Sequence, residues 1–419
     1  MKVFRTLEPQ NQHSLMMLFV GGLLFWSSIT TLLPTLPLYI SFIGGTKQQI
    51  GLVMGCFAVG LLLSRFVLGP LADTRSRKLV LIVGTSVAAI APLGYLLLKS
   101  FPLLMGVRAF HGISIAGVTI GYSALVADLS PPGRRGELIG YMSLAAPIGM
   151  GIGPAIGGFL AEASGYVALF IVCSTLGVMS LLCGSFVREQ NTTVGKNQTD
   201  LNPVLNELQQ QKFWQILGSR RVLVPSFVML MVGLVFGTTV TFLPLFIQES
   251  GIALNAGLFY TVRAIASFII RCFTGRASDR FGRGIFISGG LACSLLSMLT
   301  LWTANSSNTI LLAAILGGTS AGLVLPMMIT LITDRCLPSQ RGKFFSLCIG
   351  GFDLGLALAG PCFGLVAEQL SFSYRSMFAL DACLVCLALA TFITMSNKDL
   401  PHSIRFASGQ GQDTYAINN

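Results

Sequence analysis

A few titratable groups stand where apolar sequence leaves them little water. Asp353 lies about eleven residues into an apolar run covering 342–369, roughly 16 Å along a helix that rises about 1.5 Å per residue. A carboxyl at that depth has to be protonated, paired or hydrated. It can bind a proton in one conformation and release it in another, or it can satisfy backbone opened by the glycines around it. Arg108 and His111 sit three residues apart in another apolar run, so a helix puts them on one face. Histidine titrates near neutral pH, and it serves equally well as a structural hydrogen-bonding group. Arg263 completes the proton and substrate candidates. Asp381, in the last apolar run, reads as a structural partner for a hydroxyl or an arginine, and its role stays open.

Other chemistries find no support in the residues. There is no nucleophile elbow, phosphate-cradling glycine loop or metal-ligand cluster, so the expectation is a non-enzyme with no cofactor and no metal. The 10 cysteines lie almost all inside apolar runs and read as small buried hydrophobes. Cys383 and Cys386 form a CxxC pattern, but at that depth in an apolar helix it is a poor redox or zinc site.

The elements that must position these groups are apolar segments. With 53% hydrophobic and 10% charged residues and a mean hydropathy of +0.76, the chain belongs in a bilayer. Runs of about 20 mostly apolar residues occur near 15–42, 48–72, 78–98, 101–127, 136–161, 165–187, 221–248, 252–276, 284–304, 307–333, 342–369 and 373–396. Helices are the expected spanning form, because each satisfies its own backbone. The first run is too long for a cleaved signal and is read as a span.

The net charge of +11 is topological. Twenty of the 27 basic residues fall in loops on the side that holds both termini. Lys47, Lys99 and Arg375 fall on the other side, and Arg65, Arg108, Arg263 and Arg271 within segments. That bias predicts cytoplasmic termini in a plasma (inner) membrane and argues against a nucleic-acid partner.

The polar turns repeat. GPLADTRSRK from Gly69 contains Asp73 and Arg77, and GRASDRFGRG from Gly275 contains Asp279 and Arg283, each residue displaced by 206. Asp128 and Arg135 recur at the same displacement as Asp334 and Arg341, and Arg65 as Arg271. A fixed offset through several loops signals duplication of half the chain. Arg263 and Asp353 depart from the duplication, which favours them for specificity. The expected domains are a six-helix half over 1–188, a linker over 189–219, a second half over 220–396 and a disordered tail over 397–419. Within the linker, a short surface helix from Pro203 is expected. In the fifth segment Gly149, Gly153 and Gly157 share a face with Pro154 and Gly158 beside them, a spacing that lets another helix approach closely. The eleventh segment echoes it in Gly351, Gly355 and Ala359.

Glycine, aspartate and arginine between the second and third segments of each half resemble the signature loop of the major facilitator superfamily, and the resemblance covers the whole chain. The first copy departs from the family pattern at Thr74 and Ser76; the second, with Arg280 and Gly282, fits it. The resemblance implies an all-α integral membrane fold, with 12 transmembrane helices in two pseudo-symmetric six-helix halves. It also implies a gating role for these loops and a central cavity lined by the first, fourth, seventh and tenth helices. Phe25, Trp26, Phe236 and Phe242, with Arg108 and Arg263, are the cavity candidates. GxxxGPxxGG in the fifth span is similar to the motif of proton-antiporting exporters, and RAFHG to a fourth-span motif whose arginine is linked to proton coupling, though glutamine is more usual where His111 stands. The resemblance therefore implies alternating access, with protons and a small, partly apolar molecule as partners. Proton-driven export by a monomer is favoured, and proton-coupled uptake of a metabolite or organic anion is the alternative. A non-transporting membrane sensor is the third reading.

Overall fold

Among the described residues, several of the helices begin at a cap that the sequence supplies locally. The computed structural model describes residues 7–131, 135–189, 218–336, 341–370 and 372–417, with backbone only at 135, 275, 276, 279, 341 and 342. The expectations for the linker, its helix from Pro203 included, lie outside the described residues, as do the side chains of Arg135, Asp279 and Arg341. In chain order the helices are α1 (Pro9–Phe42), α2 (Lys47–Thr74), α3 (Arg77–Leu97), α4 (Phe101–Asp128), α5 (Arg135–Met142), α6 (Ala145–Ser185), α7 (Arg220–Ser250), α8 (Ala256–Phe281), α9 (Arg283–Trp302), α10 (Ser307–Asp334), α11 (Arg341–Gln369), α12 (Tyr374–Met395) and α13 (Leu400–Ala407). Thr46 and Gln49 form a reciprocal capping box at the start of α2, and Ser306 with Thr309 does the same for α10, satisfying backbone N–H groups that a helix start leaves open.

Among the described residues, eleven helical stretches are long and apolar enough to cross a membrane. One of them, Gly136–Ser185 at 50 residues, is too long for a single crossing of a core about 30 Å thick. Gly165 divides it, at φ 76° and ψ 179°, a conformation that only glycine takes without strain. The twelve spans and two six-helix halves expected from the sequence are therefore present.

The chain folds into two compact units. Among the described residues, unit 1 contains those up to 189 together with Val240–Glu249 and Ala253–Ala264, and unit 2 contains the remainder. Unit 1 thus takes in the last turns of α7 and the first turns of α8, which the sequence halves place with the second domain. Its core gathers Leu15, Leu18, Phe25, Ile29, Phe57 and Leu125; that of unit 2 gathers Val228, Leu291, Met328, Phe392 and Phe406. Phe66 and Phe273 stay exposed, as lipid-facing residues do.

The tail corrects an expectation. Read as disordered after Lys398, it instead forms α13, capped by the Asp399 carboxylate on the His402 N–H at 2.9 Å, and then runs in hydrogen-bonded contact with unit 2 as far as Ile417. The apolar anchor is Phe406, 3% exposed, against which the Gly284 backbone packs. The tail's polar composition hid that one buried aromatic.

Candidate functional site

Arg108 and His111 meet as their spacing requires, and a third residue joins them. Both are buried, at 4% and 0% exposure. Tyr95, from α3, places its hydroxyl 3.1 Å from His111 Nδ1, with the Arg108 guanidinium close by. Which of the hydroxyl and Nδ1 donates depends on the imidazole tautomer. Nε2 and Arg108 Nε have no hydrogen-bond partner among the described residues. The guanidinium rests 4.2 Å from the Phe57 ring centroid, a cation–π contact. Among the described residues no carboxylate pairs with Arg108. Tyr95 is itself held through its backbone oxygen, which accepts from the Tyr39 hydroxyl at 2.9 Å.

The polar turns form ion pairs at equivalent places in the two units. In unit 1 Arg77 pairs with Asp128, and in unit 2 Arg283 Nε lies 3.3 Å from Asp334 Oδ2, with Ser278 accepting from its Nη1 at 2.9 Å. Each pair joins the start of the third helix of its half to the end of the fourth. The expected emphasis on Asp73 shifts, because its carboxylate is exposed and Asp128 is the acid that Arg77 meets. Gly69 has open space around it.

The departure of the first copy at Ser76 has a physical reason. Ser76 is the N-cap of α3, at φ −168°, accepting from the Leu79 N–H at 3.0 Å while donating to Glu189 Oε2 at 2.5 Å. Glu189 Oε1 also takes the Arg77 N–H at 2.6 Å, so a carboxylate sits on the positive end of α3. Gly282 at the equivalent place in the second copy has no side-chain cap and adopts φ 84°. The two copies solve the same helix start differently. Glu189 was not singled out from sequence; an acid directly after the last span of its half was its signal.

The glycine face of the fifth span packs on α1. A Cβ at Gly149 would stand 2.7 Å from Leu23 O and Trp26 Cβ, and Cβ atoms at Gly153 and Gly157 would collide with the backbone of Ser27 and Thr31. Such closeness lets Thr31 Oγ1 donate to Gly153 O at 3.0 Å, shared with Ser27 O in its own helix at 2.7 Å. The close helix approach expected at Gly153 and Gly157 is a seam within unit 1. Pro154 and Gly158, beside that face, meet the start of α8, where Asn255 Oδ1 accepts from the Gly257 N–H at 2.8 Å. In unit 2 the echo holds: Gly351 and Gly355 of α11 lie against the α7 backbone at Ser226 and Leu230.

The remaining candidates are distributed over both units. Asp353 is buried at 3% in unit 2, where its neighbour Phe352 stacks on Phe236 at 5.7 Å. Arg263 falls in unit 1, one turn from Tyr260. Phe25 and Phe242 are fully buried at 0%; Phe25 is a core residue, in edge contact with Trp26 at 5.5 Å, where a cavity-lining position was expected. Asp381 is buried at 0%, with the Thr238 hydroxyl as its polar neighbour. Neither of its oxygens is well placed for a hydrogen bond, because Thr238 Oγ1 donates to Leu234 O at 3.0 Å. Among the described residues no group of His, Cys, Asp or Glu could hold a metal ion.

Comparison with known proteins gives consistent matches. The sequence profile of the Major Facilitator Superfamily matches residues 18–269 and 252–412. An uncharacterized MFS-type transporter of Methanocaldococcus jannaschii is 24% identical over 83% of this chain and 89% of its own. The multidrug resistance protein MdtG of Serratia proteamaculans is 27% identical over 89% of this chain and 91% of its own. Among solved structures, a bacterial homolog of the human lysosomal transporter Spinster, inward-facing and unoccupied, superposes with a TM-score of 0.76 at 16% identity, covering 97% of this chain and 99% of that one. The nucleoside transporter NupG superposes at 0.75 and 15% identity, covering 90% and 99%.

Proposed function

From the premise that this chain belongs to the Major Facilitator Superfamily, and so is a transporter of a small molecule across a membrane, we propose that it exports a small, partly apolar molecule in exchange for protons. The observation that carries the reading is the trio of Arg108, Tyr95 and His111, a buried cation beside a titratable ring inside a span. Intramembrane ionisable groups are expensive to hold, and they mark ion and proton paths. The name of the MdtG relatives, multidrug resistance protein, supports export of apolar compounds. The basic residues on the side of the termini support an inner-membrane protein with cytoplasmic termini. Rocking of the two units, biased by the Arg77–Asp128 and Arg283–Asp334 pairs, is the proposed means of alternating access.

Everted membrane vesicles with an imposed proton gradient and ethidium as the probe test this reading. Gradient-dependent ethidium accumulation that collapses with an uncoupler is expected. If a range of lipophilic cations gives none while an organic anion is carried, the alternative stands. That alternative, proton-coupled movement of an organic anion, is favoured by one observation: among the described residues Arg108 has no carboxylate partner.

A further inference from the structure

Beyond transport itself, the molecule contains a fastening that the duplication does not predict. Arg335 follows Asp334 at the end of α10, and its equivalent 206 residues earlier is Leu129. Its side chain is wholly buried, at 0% exposure. Nε donates to Asp413 Oδ2 at 2.6 Å and Nη2 to Asp413 Oδ1 at 3.0 Å, a two-pronged pair. Nη2 also donates to Ser396 O at 2.8 Å and Nη1 to Arg221 O at 3.2 Å. The Tyr415 ring lies 5.3 Å from this guanidinium. Asn397 Oδ1 accepts from both the backbone N–H and the hydroxyl of Thr414, at 3.0 and 2.8 Å. The Ile417 N–H closes the strap on Asp334 O at 2.9 Å. A tail only covering the unit would not need its acid buried beside a core arginine.

We infer that Asp413 is the positioning residue of the Arg283–Asp334 pair, and that residues 408–417 form a clasp setting how readily this pair breaks. The inference rests on the gating role proposed above. Asp334 carries the carboxylate that Arg283 meets, and its backbone is gripped from two sides, by Ile417 on its own oxygen and through its neighbour Arg335 by Asp413. Unit 1 does the equivalent with Glu189, which follows the last span of its half and fastens Ser76 and Arg77. Each half thus sends an acid from beyond its last helix back to its polar turn. In unit 1 the acid comes directly after the span. In unit 2 it comes through α13 and a longer reach, which makes it the more releasable of the two. Loosening the clasp weakens the Arg283–Asp334 pair and slows turnover without changing how substrate is held.

Hydrogen–deuterium exchange on the full chain in nanodiscs, paired with ethidium transport, decides the matter. In Asp413→Asn, amides of Gly284–Ile287 and Thr330–Asp334 should exchange about tenfold faster, while those of Arg77–Val80 stay as in the wild type. The maximal ethidium rate should fall about fivefold, the low end of typical coupling between sites, with KM within about twofold; Asp413→Glu should recover most of it. Since Asp413→Asn strands a buried cation, the double variant Arg335→Leu with Asp413→Asn separates stability from positioning. Its melting temperature should return towards the wild type, because Leu129 shows what the site accepts in unit 1, and its exchange and rate should stay at the single-variant level. Faster exchange confined to 408–417, or a double variant with restored rate, overturns the clasp. Faster exchange at Asp334 with an unchanged transport rate upholds the clasp and overturns the gating role. Should the wild type carry no ethidium, the exchange arm still decides the clasp.

Discussion

The Tyr95 hydroxyl is the hydrogen-bond partner of His111 Nδ1. Tyr95→Phe keeps the ring against Phe170, at 5.7 Å, and keeps the backbone oxygen that Tyr39 uses, so it removes the hydroxyl alone. His111 Nδ1 then loses its partner. A buried polar group left unsatisfied costs about 1–3 kcal/mol, so the melting temperature should fall modestly while the protein still inserts. More telling is the pH profile of gradient-driven transport, which should move once the imidazole has lost its phenol partner. An unmoved profile would make the trio a scaffold. Asp353→Asn asks the same of unit 2. Loss of accumulation with retained downhill exchange is expected, and unchanged accumulation with unchanged pH dependence would exclude a coupling role.

These residues also show what the sequence makes legible. Arg108 and His111 could be paired on paper because one helix carries both. Tyr95 could not, since nothing local says which of 8 tyrosines arrives from another helix. The signal lies in Gly84 and Gly117, whose backbones touch where α3 crosses α4, so that the antiparallel helices then bring Tyr95 towards His111. For Asp381 the polar neighbour was foreseen as a type, a hydroxyl, though not as Thr238.

At the scale of elements, the two copies of the signature turn make opposite demands on their helix starts. Ser76→Ala removes the cap of α3 and the donor to Glu189, and loss of such a cap costs about 0.5–2 kcal/mol. Gly282→Ala adds a Cβ at φ 84°, where the left-handed backbone penalises it by about 1–2 kcal/mol. Both should lower the melting temperature. Gly282→Ser should be no better than Gly282→Ala, because serine cannot cap from that backbone; a rescue by serine would show that it can. In the fifth span, Gly157→Leu pushes a branched side chain into the Thr31 backbone. Overpacking costs about 1–3 kcal/mol, and a backbone neighbour cannot rotate away, so a monodisperse protein with wild-type melting would mean that the seam is looser than these contacts require. Gly158→Ala meets the Asn255 side chain, which can move, and should be milder. At the carboxyl end, the His402 backbone N–H and ring hold the exposed Asp399 carboxyl below its usual range. Its cap on α13 is therefore present above the ordinary carboxylate pKa and lost as pH falls through the lowered one, visible as faster exchange of the first turn of α13 in acid.

At the scale of the whole molecule, the duplication was the most legible feature, because a displacement of 206 residues needs only counting. What it could not convey is where the halves differ: Glu189 at one turn, Asp413 and Arg335 at the other. If both ion pairs bias a single two-state equilibrium, their free energies add and their effects on rate multiply. Arg77→Gln and Arg283→Gln should each slow ethidium transport, by about fivefold for a coupling near 1 kcal/mol. The double variant should then be slower by about the product, roughly 25-fold, with KM little changed. Exchanging the charges, Arg77→Asp with Asp128→Arg, should recover part of the rate lost by either change alone, since the pair and not the sign at one position is what holds the turn. A double variant no slower than the slower single variant would mean that one loop gates and the other only anchors its helix. Given the full cap that Glu189 and Ser76 place on α3, the anchored loop would then be the one in unit 1.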